Sequence, residues 1–181
     1  NGEYWQPDAS EDGSVPNIVL RVRLVEPAKV FVEPAKLELN VSGRASLRFK
    51  ERIASGFVRL GLPNNGSVSL KGKTYLDRLE LMARARFKRV KLEPFKGILF
   101  SNSPLNVQGK LNGDLSISLN QKQLGCKGGI SLAGFVMKGG FLEDSLSSNN
   151  FSVICDAEKL EIIPTELKYG PWIASLAGDL S

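Results

Sequence analysis

Histidine is absent from this 181-residue chain, and it has only two cysteines. Without histidine there is no conventional Ser-His-Asp or Cys-His nucleophile pair and no imidazole metal ligand. The carboxylates alternate with cations instead of gathering, so no acid/base couple stands out. Lys127-Gly128-Gly129 and the scattered glycines do not build a phosphate loop. An enzyme is therefore not expected, and neither is a cofactor. No window approaches the roughly 18 apolar residues of a membrane-crossing helix. No secretory signal pattern opens the chain. The two cysteines, Cys126 and Cys155, belong to no CxxC motif; one disulfide and two small core-like residues both fit, and the second reading is preferred. Aromatic residues are 8% of the chain and form no stacking platform beside the basic residues, which argues against nucleic acid.

What the chain has is alternation. In residues 105–120 (LNVQGKLNGDLSISLN), Leu105, Val107, Leu111, Leu115, Ile117 and Leu119 occupy odd positions with Gly109 and Gly113. Asn, Gln, Lys, Asp and Ser fill the even ones. Such a pattern is a strand with one apolar and one wet face. Sixteen residues would span roughly 50 Å, against a usual strand of about 5–6 residues. Asn112-Gly113 is a strong hairpin dipeptide. A turn there would set Leu111 opposite Asp114 and Val107 opposite Ser118, mixing apolar with polar at every pair. Register follows the hydrophobic pattern, so a continuous strand, bent at Gly109 and Gly113, is expected.

Residues 36–50 (KLELNVSGRASLRFK) repeat the design, with Leu37, Leu39, Val41, Gly43, Ala45, Leu47 and Phe49 on one face. Further strands are expected at 17–25, 30–32, 67–73, 79–87, 130–137, 151–157, 160–163 and 172–181. VEPAK occurs at 25–29 and again at 32–36, placing a proline kink on either side of the strand at 30–32. Residues 62–66 and 144–150 read as turns. The phase of the 79–87 strand slips afterwards, so a β-bulge is expected near Lys88–Arg89. Residues 93–101 are the one helical candidate, a turn or two at most. Residues 1–16 read as a polar linker or frayed end, and the alternation still running at residue 181 suggests a fragment of a longer chain. The sum is an all-β chain of roughly ten strands whose apolar face must be covered by something.

The net charge is +5. Basic residues concentrate from 71 to 96, most densely at Arg84, Arg86, Lys88, Arg89 and Lys91. A solvated sheet face accounts for them; a contact for anionic headgroups or an acidic partner is the sharper alternative. Asn-x-Ser triplets at Asn40, Asn65 and Asn150 matter only in a glycosylating compartment.

Three passages carry a resemblance: NIVLRVRLVEPAKVFVEPAKLELNVSGRASLRF, FKRVKLEPFKGILFSNSPLNVQGKLNGDLSIS and ELKYGPWIASLAGDLS. The first resembles the TamB succession of short strand, proline kink and glycine-broken leucine alternation. The others resemble AsmA/TamB-type segments ending in GkLnGdlsls and in a strand-to-strand close. The doubled VEPAK and the high cation content have no counterpart in the pattern. The resemblance implies a long curved antiparallel sheet folded into an open U-shaped groove of the β-taco type with an apolar interior. It implies a module of an envelope-spanning protein, in the bacterial periplasm or the chloroplast intermembrane space, anchored to the inner membrane through a part of the chain not present here. It also implies phospholipid acyl chains as cargo. An Omp85-type outer-membrane partner would serve protein assembly, or preprotein import in chloroplasts. The expected groove lining is Leu37, Leu39, Val41, Leu47, Phe49, Leu105, Val107, Leu111, Leu115, Ile117 and Leu119. From alternation alone, the same residues would form a closed sandwich core. A scaffold working through open sheet edges, a membrane β-barrel and a jelly-roll lipopolysaccharide bridge are the other readings.

Overall fold

The computed structural model describes residues 17–32, 37–78, 80–96, 104–120, 123–157 and 159–180. Eleven strands form a single antiparallel sheet. They are β1 (Val19–Arg23), β2 (Ala28–Val32), β3 (Leu37–Arg48), β4 (Ile53–Gly61), β5 (Ser67–Tyr75), β6 (Glu80–Lys91), β7 (Asn106–Asn120), β8 (Gln123–Gly139), β9 (Leu142–Ala157), β10 (Lys159–Tyr169) and β11 (Trp172–Leu180). From β3 to β11 each strand pairs with the next in sequence. β1 and β2 lie end to end along the remaining edge of β3, against Arg44–Arg48 and Leu37–Val41 respectively. Residues 24–27 bow out between them, opposite only Ser42 and Gly43, and Pro27 needs no ladder partner there. Among the described residues nothing joins β11 back to β1 or β2, so the sheet is open and is not a barrel. Among the described residues there is no second sheet, so they form neither a sandwich nor a jelly roll.

β7 is one strand, as its phase requires. Gly113 pairs with Phe87 on one side and Ile130 on the other, so Asn112-Gly113 makes no turn. The bend comes from close packing and bulges. A Cβ on Gly113 would lie 2.5 Å from the Gly129 carbonyl oxygen and 2.8 Å from Ile130 Cα. Gly109 has φ +145° at a register shift between β7 and β8. The expected bulge in β6 is present: the register shifts between Phe87 and Val90, and Arg89 takes φ 49°. Its backbone N–H donates to Asn112 Oδ1 at 2.8 Å, which replaces the lost ladder bond.

Several expectations change. β4 is a strand that alternation does not predict, because its apolar phase (Ala54, Gly56, Val58, Leu60) opens with two small residues. Residues 144–150 are not a turn but the middle of β9, which β8 and β10 hold from both sides. Ladder bonds from two neighbours outweigh the weak strand preference of Asp, Ser and Asn. The chain reverses earlier, at Gly140 and Phe141, where Gly139 and Gly140 take φ 84° and 66°. The strand expected at 160–163 runs on to Tyr169, because Pro164 sits in a register shift where no N–H is needed. Glu93–Phe95 is a single 3-10 turn that closes at Lys96, and residues 97–101 of that helical candidate lie outside the described residues. So do residues 1–16 and the second VEPAK proline.

Few apolar side chains are enclosed. Among the described residues Leu37, Val90, Leu105, Val107 and Cys155 are the buried hydrophobics, and no large side chain is fully sealed. The first four gather at one end of the sheet, where the turns at Pro63–Asn65 and Glu93–Phe95 lie and the latter packs against β7. Toward the other end the same face stands open.

Candidate functional site

Antiparallel register places like beside like. On one face, Leu20, Leu47, Ala54, Thr74, Leu81, Leu119 and Leu124 follow one another from β1 to β8. The next row on that face is Val22, Ala45, Gly56, Gly72, Ala83, Ile117, Cys126 and Ala157. Beyond it run Gly43, Val58, Leu70, Ala85, Leu115, Gly128 and Cys155. The middle row is made mostly of Gly and Ala between rows that carry Leu. Small side chains at matched positions leave a shallow trench across the sheet. Two hollows of about 390 and 370 Å³ lie over β1, β3, β4 and β5 and share Val22, Ala45, Gly56 and Gly72.

The expected lining falls on this face with one exception. Val41 and Leu47 on β3 connect through β4, β5 and β6 to Gly113 and Leu119 on β7, so both long strands present their apolar phase to the same side. Leu37 and Leu39 pair with Val32 and Val30 of β2. Leu111 and Leu115 are half-buried. Exposure grades along β7, from 4% at Val107 to 38% at Ile117 and 39% at Leu119. Leu105 precedes the strand and is buried at the enclosed end. Phe49 is the exception: it sits beyond β3 in the turn to β4 and is exposed. The lining expected from sequence omits the small-residue floor from β4 and β5 and the contribution of Leu20 and Val22 on β1. Glycine and alanine carry no hydrophobic signal, and only the register shows them aligned.

Cys126 and Cys155 form a disulfide, which corrects the preferred reading of two separate core-like residues. Cys126 pairs with Ala157 and Gly128 with Cys155, so the cysteines are diagonal neighbours on β8 and β9. Their Cα atoms are 5.7 Å apart, within the usual bridging range. The bond staples the trench floor.

The opposite face is wet and cationic. Arg84 and Arg86 both grip Asp114 across the β6–β7 ladder. Arg84 Nε donates at 2.5 Å and Nη2 at 2.6 Å; Arg86 Nε donates at 2.9 Å and Nη2 at 2.7 Å. Hydrogen bonds from Arg84 first and Arg86 second hold the Asp114 carboxyl down at about 2, against burial, which pushes it up. The same bond and the Asp114 charge raise the Arg84 guanidinium. Two of the five expected surface cations are thus already engaged. Lys88 sits opposite Ser67, Arg89 occupies the bulge, and Lys91 faces Lys110. Among the described residues, no ion pair involves these three.

Among the described residues no helix is long and apolar enough to cross a membrane, and no group of three His, Cys, Asp or Glu could hold a metal ion. No family model matches the chain, and no curated protein or solved structure matches it significantly.

Proposed function

We propose that this chain is a non-enzymatic groove module of the TamB/AsmA-like kind, which shields lipid acyl chains from water during phospholipid movement between membranes. The observation that carries the reading is the apolar trench: rows of aliphatic side chains in register across β1 to β9, on a face that is enclosed at one end of the strands and left uncovered toward the other. A soluble domain rarely leaves a contiguous apolar face of this kind without a partner for it. An acyl chain suits the trench because it needs length and apolar contact but offers no group to hydrogen bond. The disulfide supports an oxidising compartment, which accords with the space between two envelope membranes. On this reading the module works in the periplasm or the chloroplast intermembrane space, with an Omp85-type partner at the outer membrane.

Photo-crosslinking residues placed singly at Leu115 or Ile117, and at Lys110 on the wet face, test it in cells. Lipid adducts are expected at the first pair only. Equal labelling of both faces, or none on the apolar face, refutes it.

A second reading, a scaffold between translocation machineries, is favoured by one observation. Every residue of β11 is exposed, and its outer edge has no strand partner among the described residues. An edge of that kind accepts an added strand. It predicts protein adducts along residues 172–180 that persist after the trench is made polar.

A further inference from the structure

The wet face carries a row that the amino-acid order disguises. Arg23, Arg44, Lys71, Arg84, Lys127 and Lys159 occupy one continuous line of cross-strand pairs from β1 to β10, broken only by Phe57, Ser116 and Asp156. Eight inter-strand steps of about 4.8 Å make it roughly 38 Å long. Arg23 stands directly opposite Arg44, and Lys71 directly opposite Arg84. Like charges at such positions destabilise a sheet, so the fold keeps this row at a cost. Flanking rows add Arg21, Arg59 and Lys73, together with hydroxyls from Ser46, Ser55 and Ser118. Two hollows of about 650 and 630 Å³, larger than those over the apolar trench, lie along the row and meet at Lys71 and Lys73. Asp114 shows what this face does with an anion: the forks of Arg84 in the row and Arg86 in a flanking row converge on one carboxylate.

We infer that this row docks the face onto a bilayer rich in anionic phospholipid, with phosphate headgroups taken into the two hollows. A bilayer fits the charge and the form together. The cations are spread along a broad exposed face instead of converging in one cleft, and Met82 stands among them as an exposed apolar side chain that can enter the headgroup layer. The inference uses the side of the sheet opposite the trench and does not rest on the acyl-chain reading.

Co-sedimentation with vesicles of phosphatidylcholine, with and without about a third phosphatidylglycerol, tests it. Each cation near an anionic surface is worth about fivefold in affinity, so Arg44→Gln, Lys71→Gln and Lys127→Gln together weaken binding about a hundredfold. All three are exposed, and none is in an ion pair among the described residues. Lys110→Gln, Lys138→Gln and Lys168→Gln remove the same charge from exposed positions outside the row and its flanking rows and leave affinity within a fewfold. The unaltered chain gives a second arm: release is expected as salt cuts the screening length from about 10 Å to about 3 Å. Equal binding to neutral vesicles, no binding to either, equal loss in both triple variants, or a flat salt profile overturns the inference. So does capture of an acidic peptide with no vesicle binding.

Discussion

Val107 and Ile117 lie on the same face of β7, ten positions apart, and a polar replacement at each separates an open trench from a closed core. Val107→Asn removes an almost fully enclosed side chain. Its burial is worth about 1.5–2 kcal/mol. The amide that replaces it is cut off from water at a further cost of about 1–3 kcal/mol. A loss of about 4 kcal/mol is expected. Ile117 is 38% exposed, so only about three-fifths of its burial worth of about 2.5 kcal/mol is at stake. Its amide still reaches water, and the loss is about 1.5 kcal/mol or less. Urea unfolding reads both as shifts in midpoint at unchanged slope.

The same pair reports on occupancy. A single-chain lipid that seats in the open end raises the midpoint of the unaltered chain, by about 2.7 kcal/mol at a hundredfold excess over its dissociation constant. Ile117→Asn should lose most of that increment while remaining folded. Losses of about 4 kcal/mol at both positions would mean that Ile117 is sealed in a core, and the trench would not exist.

Three other outcomes follow from the same geometry. The Asp114 carboxyl is held below its ordinary 3.8, at about 2, so its stabilisation is present above pH 3.8 and is lost as pH falls through about 2; Asp114→Asn should flatten the urea midpoint over that window. The cysteines close a loop with a separation of 29 residues, so Cys126→Ala with Cys155→Ala should lower stability by about 3–4 kcal/mol. Reductant should shift the unaltered chain and leave the double variant where it is. Gly113→Ala should cost at least about 2 kcal/mol because its methyl meets backbone on β8, whereas Gly178→Ala, with nothing within 4 Å, should be neutral or stabilising by about 0.5 kcal/mol.

Phase was the most legible property of the chain. It gave β7 as one strand against a strong hairpin dipeptide, because a single turn there would have scrambled every facing pair. It also gave the bulge at Arg89, since a cation on the apolar phase followed by Val90 admits few other arrangements. Where the apolar phase is written in glycine and alanine, as in β4, the signal fades although the backbone is equally extended. Where a strand lies between two committed neighbours, as at residues 144–150 in β9, its own composition hardly matters. Relations between distant positions were not legible. The cysteine pair and the cationic row depend on register summed over several hairpins, and each bulge changes that sum by one.

The bulges also explain why one sheet has an enclosed end and an open one. The register shifts next to Arg89 in β6, next to Gly109 in β7 and next to Pro164 in β10. In β8, Gly134 takes φ 61° opposite the Gly109 shift. These irregularities form an oblique band across β6 to β10, and each adds local twist and bend. Val90, Leu105 and Val107 lie to one side of the band and are buried; Leu115, Ile117 and Leu119 lie to the other and grow progressively more exposed. An unbroken ladder over strands this long would stay a single twisted ribbon, with similar exposure from end to end. Concentrating the bend in one band lets the turns at Pro63–Asn65 and Glu93–Phe95 close over a small anchored core, which fixes the register, while the rest of the face remains free. Stability and accessibility are thereby assigned to different lengths of the same strands, which is what a module must do if it is to stay folded with its apolar face offered to a ligand.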